Sequence, residues 1–150
     1  MCYCCAAVIV ELLAVAAIAM PTAKVERNLA AVAGVSVTCP ARWPHTEEAG
    51  GWYWPDKGIE LRVMWCRAIG RTLAGQRPNG AGFAWHTFAH EVAHSLGYDH
   101  GTSTIGAQCA GWRMMRPLMR KAGLPRGYAR KLWHERRFYS GCATATPNGP

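Results

Sequence analysis

The chain predicts an α+β fold, a small antiparallel sheet of about three strands packed with four or five helices. Three observations carry this reading. Short β-branched and aromatic runs bounded by Pro and Gly fall in the first half. Apolar residues recur at helical spacing on either side of them. The 150 residues are 50% hydrophobic and 17% charged, enough for one core, with little room for a second domain.

Residues 1–20 are apolar from Cys4 to Met20 except for Glu11. Three readings stay open: a signal peptide ending at Ala17-Ile18-Ala19, a membrane anchor, or an upstream stretch before a start at Met20. Location follows from that choice, the cytoplasm by default, export or anchoring if the segment is a real signal. The expected domain covers 21–142, and the small residues of 143–150 form a frayed tail.

From Met20 onward, Val25, Leu29 and Val32 make an amphipathic helix closed by Gly34. Val35–Cys39 reads as a strand stopped by Pro40. Gly51–Trp54 and Ile59–Arg62 flank Pro55-Asp56-Lys57-Gly58, a tight-turn sequence. Trp52, Tyr53 and Trp54 are expected to pack on the sheet, although an exposed Trp could line a substrate groove, and Ile59–Arg62, if it is an exposed edge, could bind substrate as an added strand. Val63, Cys66, Ile69 and Leu73 repeat at helical spacing, and a Gly- and Pro-rich loop follows from Gly75 to Gly82. The longest helical pattern runs from Phe83 to Leu96. Another covers Thr104 to Met115 and kinks or stops at Pro117. The last runs from about Gly127 to Tyr139. Cys39, Cys66, Cys109 and Cys142 form two disulfides in an exported chain or stay as thiols in a cytoplasmic one.

The chemistry concentrates in His90-Glu91-Val92-Ala93-His94, followed by Gly97 and His100. On a helix, i and i+4 share a face, so both imidazoles can address one ion. Glu91 is placed to reach a water at the metal rather than the metal itself. Gly97 can take the left-handed conformation that ends the helix, letting His100 supply a third ligand. Three protein ligands leave one position open, the arrangement of a catalytic rather than a structural Zn2+ site. His86 lies one turn before His90 and is read as a possible substrate contact at the cleft edge, as is Tyr98.

This stretch resembles the zincin metallopeptidases, and its long form, His-Glu-x-x-His-x-x-Gly-x-x-His, is that of the metzincins. The small sheet and short chain look like the minimal zincin domains of small bacterial and phage-type proteins. The resemblance implies a zincin-like fold, Zn2+ held by His90, His94 and His100, Glu91 as general base, and hydrolysis of a peptide or protein substrate. In zincins that draw a third ligand from a following helix, it is a glutamate; no acidic residue lies between Gly101 and Glu135, so the resemblance implies His100 as the leading third ligand and Asp99 as the second choice. Met114 and Met115 are the nearest candidates for the methionine turn of metzincins, although they stand in a helical pattern.

Charge supports a different emphasis. The formal net charge is +8, and about half of the cations fall between Arg113 and Arg137. Such a surface suits an anionic partner, nucleic acid or an acidic surface, while a membrane role stays open. The alternative function is therefore a non-catalytic, zinc-stabilised module that binds nucleic acid or a protein partner through its basic C-terminal helices.

Overall fold

Helix α1 (Thr22–Ala33) begins where the Pro21 carbonyl accepts from the Lys24 and Val25 N–H groups, and it buries Val25, Leu29 and Val32. The computed structural model describes residues 20–45, 49–100, 106–136 and 142. The leader before Met20, the tail at 143–150 and the end of the last expected helix, with Arg137 and Tyr139, lie outside those residues.

After α1 come β1 (Val37–Thr38), β2 (Gly51–Trp54) and β3 (Gly58–Leu61). They form one three-stranded sheet in the order β1-β3-β2. The fold is α+β, as the sequence predicts, but the sheet is mixed rather than antiparallel. The β2–β3 hairpin is antiparallel, with Trp52 opposite Glu60, whereas β1 joins β3 in parallel, Val37 opposite Ile59. Two ties outside the strands draw β1 there. Glu26 of α1 accepts from the Cys39 N–H at 2.7 Å, and Cys39 is disulfide-bonded to Cys66. The strand expected over Val35–Cys39 shrinks to two residues: the Ser36 carbonyl accepts from the Ile59 N–H at its start, and the chain turns away at Pro40. At Gly58 (φ +90) a Cβ would run into the Ser36 carbonyl, so the crossing needs glycine. The condition for strand addition at Ile59–Arg62, an exposed edge, is not met: β3 is central, and β1 and β2 hold the two edges.

Helix α2 (Val63–Leu73) follows β3 directly. Helix α3 (Ala81–Ser95) is the spine of the domain, packed against α2, α4, α5, β2 and β3. Trp85, Phe88 and Ala89 on it are fully buried. The Trp85 indole N–H donates to Thr72 Oγ1, whose hydroxyl donates to the Ile69 carbonyl, so this polar pair inside the core is satisfied. Helix α4 (Ala107–Lys121) does not stop at Pro117. Proline removes one backbone bond and costs about 3 kcal/mol in a helix interior, but Pro117 faces solvent while Met115 and Met119 on the opposite face are fully buried. That burial carries the helix past the break. Helix α5 (Arg126–Glu135) starts after Pro125 and buries Ala129 and Leu132.

Of the two cysteine states the sequence leaves open, the structure takes the disulfides, Cys39–Cys66 and Cys109–Cys142. The second pins residue 142 to α4, where Arg113 Nε also donates to the Cys142 carbonyl at 2.9 Å. Among the described residues, no helix is long and apolar enough to cross a membrane.

Candidate metal centre

α3 presents His90 and His94 on one face because its other face, Phe88, Ala89 and Val92, is committed to the core. Helix α4 crosses at closest range here: a Cβ on Gly111 would lie 2.8 Å from both the backbone N and the Cα of His90. The crossing holds the first imidazole against a rigid wall. α3 then ends, Gly97 takes φ +89, and the Tyr98 N–H returns to the Ala93 carbonyl at 3.1 Å. This turn brings His100 back over the helix. Asp99 Oδ1 accepts from the His100 N–H at 2.6 Å, and the Asp99 carbonyl accepts from Ala107 N–H at 2.9 Å, anchoring the segment to the start of α4.

The three Nε2 atoms converge. His90 and His94 are 3.0 Å apart, His94 and His100 3.2 Å, and His90 and His100 3.3 Å. Two ligands at about 2.0–2.1 Å from a tetrahedral ion lie about 3.3 Å from each other, so the triangle has the size of one face of such a site. These three residues form a group able to hold a metal ion. The His94 tautomer fits such a site. His94 Nδ1–H donates to the Tyr98 carbonyl at 2.7 Å, which leaves the Nε2 lone pair pointing inward. His90 Nδ1 is buried without a well-formed hydrogen bond, and the Ala107 backbone on that side only modestly favours the charged ring. Burial, reinforced by the charges of His94 and His100, holds the His90 pKa down at about 4. Burial also lowers that of His94. Both rings are therefore neutral at neutral pH, the form that binds metal.

Glu91 is 5% exposed and lines the same cleft. Burial pushes its carboxyl up to about 8; a divalent cation beside it works in the opposite direction. The edge strand β2 closes over it, so that a Cβ on Gly51 would lie 2.8 Å from Glu91 Cγ. The cleft, of about 610 Å³, continues along α3 past Thr87 and His86 to Phe83, with Trp52 and Tyr53 on one wall and Gln108 and Arg136 on the other.

The structure thus brings together His90, His94, His100, Glu91 and His86, as expected from the sequence. His86 is a buried wall residue rather than an edge contact, 4% exposed, with Nε2–H donating to the Gln108 carbonyl at 3.3 Å. Tyr98 does not line the cleft. Its ring packs against Ala93, Ala107 and Ala110, and its contribution is the backbone carbonyl on His94. Asp99, the second choice as ligand, orients His100 instead. Met114 and Met115 are helical, within α4, so no methionine turn is built from them. Of the hairpin aromatics, Trp52 and Tyr53 line the cleft, in keeping with the groove role open to an exposed Trp there; Phe83, two turns before His90 on the same helix, and Arg136, just past α5, carry no local motif that marks them. Compared with protein-family models, curated proteins and solved structures, the chain matches none of them.

Proposed function

We propose that this protein is a zinc-dependent metallopeptidase of the zincin type, with His90, His94 and His100 as ligands and Glu91 as general base. The observation that carries the reading is the Nε2 triangle of 3.0–3.3 Å with a buried carboxylate on the same cleft. Three imidazoles suit zinc and leave a coordination position for reactants. When bound, zinc supplies Lewis acidity, which makes a water acidic enough to lose its proton near neutral pH.

The chain's own residues do the rest. Glu91 accepts the water proton on its carboxylate and returns it to the leaving amine. Its burial excludes bulk water from that transfer. The Tyr98 carbonyl and Asp99 carboxylate fix the rings of His94 and the backbone of His100, so the ligand set needs little rearrangement. The outer strand β2 offers its free edge to an extended peptide directly above Glu91, the role first expected of Ile59–Arg62.

Metal analysis of the wild type beside Glu91→Gln and His100→Ala, each assayed on an unfolded protein substrate, tests the proposal. The wild type should hold about one zinc and cleave. Glu91→Gln should retain zinc and lose on the order of a thousandfold or more in turnover, and His100→Ala should lose metal. A fully active Glu91→Gln protein sinks the assignment of the base. Chelation separates this reading from the zinc-stabilised binding module, because removing a structural ion melts the domain and removing a catalytic one mainly stops turnover.

A further inference from the structure

One stretch of the cleft wall carries polar hydrogens that no acceptor in the described protein takes up. Gly50, Thr87 and Glu91 all line the cleft there. The half-buried Thr87 hydroxyl has no hydrogen bond among the described residues. Behind it, the indole nitrogen of Trp65 on α2 is buried without a partner, a rare state for a donor. The two groups converge. A Cβ on Gly50 would lie 2.9 Å from Trp65 Nε1 and 3.3 Å from Thr87 Oγ1, with the Thr87 methyl at 3.0 Å. Because residue 50 is glycine, it places no side chain between them. The Phe83 ring, one turn before Thr87 on α3, packs on Trp65 at 5.0 Å and keeps the indole in place.

An indole N–H can only donate, whereas a hydroxyl both donates and accepts. When these two meet, the Thr87 oxygen must accept, and its own hydrogen is left for the cleft. Helical threonine divides between two χ1 rotamers, so the oxygen can turn toward the indole without moving the helix. The pair then presents one oriented donor, which fits an oxygen acceptor and rejects an N–H. Thr87 lies four residues before Glu91, about 6 Å of helix rise. An extended peptide advances about 3.3 Å per residue, so this donor stands about two residues from the bond at the imidazole triangle. We infer that Thr87, oriented by Trp65, is a specificity-determining residue that takes a carbonyl oxygen of the substrate at that distance. The oxygen belongs either to the peptide backbone or to the carboxamide of a Gln side chain. The inference rests on the peptidase reading, naming a subsite of that same site.

Binding to zinc-loaded Glu91→Gln protein, which leaves peptides intact, tests it. Fluorescent hexapeptides would come in two series of matched pairs. One carries Gln or Met, similar in shape but without the acceptor, at each position in turn. The other replaces each backbone amide in turn by a trans-alkene. The expected result is roughly tenfold tighter binding for the carbonyl-bearing member of one pair. That difference should vanish on adding Thr87→Val, return with Thr87→Ser and shrink with Trp65→Phe, all variants melting near the parent temperature. Without touching Trp65, its indole N–H proton resonance should move downfield when the tighter peptide binds and stay in place with its pair member. A Gln/Met effect identifies the side chain as the source, and an alkene effect identifies the backbone. The absence of any pair whose difference Thr87→Val removes, an unmoved Trp65 resonance, or no binding by any peptide overturns the inference. Wild-type protein that binds zinc and these peptides but cleaves nothing overturns the peptidase reading alone, and the affinity pairs still decide Thr87.

Discussion

His86 illustrates how a single buried ring sets the behaviour of its surroundings. Its pKa falls from 6.5 to about 4, chiefly through burial, so the folded state resists protonation more than the unfolded chain does. Between pH 6.5 and 4 the unfolded state therefore binds more protons, and stability drops as pH falls through that window. The contribution is on the order of 3 kcal/mol. In metal-free protein, the melting temperature of the wild type should fall more steeply with acid than that of His86→Gln. Parallel curves would place the titration elsewhere. At this scale much of the centre was legible beforehand. His90, His94, Gly97 and His100 lie within eleven residues, and helix period plus one left-handed glycine already bring the rings together. Tyr98 was misjudged because sequence spacing reports which way the backbone turns, not which way a ring leaves it. The hairpin aromatics serve both roles their sequence allows: Trp52 stacks on His45, which bonds Glu60, and Trp52 and Tyr53 also line the cleft.

Among the elements, the α3–α4 crossing controls the most. Its closeness depends on Gly111, where the obstructing atoms belong to the His90 backbone and cannot rotate away. Gly111→Val should push the helices apart, cost about 1–3 kcal/mol by overcrowding, and weaken zinc binding, read by denaturant titration and by competition with a chelator. An unchanged zinc affinity would mean that the ligands are held by α3 and its turn alone. Helix positions were legible because apolar periodicity is a local signal: Val25, Leu29 and Val32, or Cys66 and Ile69, bury as their spacing demands. The parallel docking of β1 was not, since strand partners are chosen by contacts remote in sequence, here the Glu26 bond to Cys39 and the bridge to Cys66. Pro117 misled for a related reason, as the buried methionines that outweigh it gain their value only once α4 has something to pack on.

For the whole molecule, cations and acids are unevenly distributed. The exposed residues Arg120, Lys121, Arg126, Arg130 and Lys131 sit on α4 and α5, while the cleft contains Glu91, Asp99 and Arg136. Nucleic-acid affinity, if these helices support it, should fall steeply with salt and be indifferent to Glu91→Gln. The two crosslinks act at the same scale. Removing one by Cys39→Ala/Cys66→Ala should cost about 2–4 kcal/mol, seen as a lower melting temperature, because that bond ties Cys39, just past β1, to α2. Both bonds also impose a condition on how the protein is made. Glutathione in a reducing host would keep these sulfurs apart, and material produced there would emerge with its sheet edge unstitched and residue 142 detached from α4. Preparations from periplasmic or secretory expression, or oxidative refolding, should therefore yield the more homogeneous and longer-lived product.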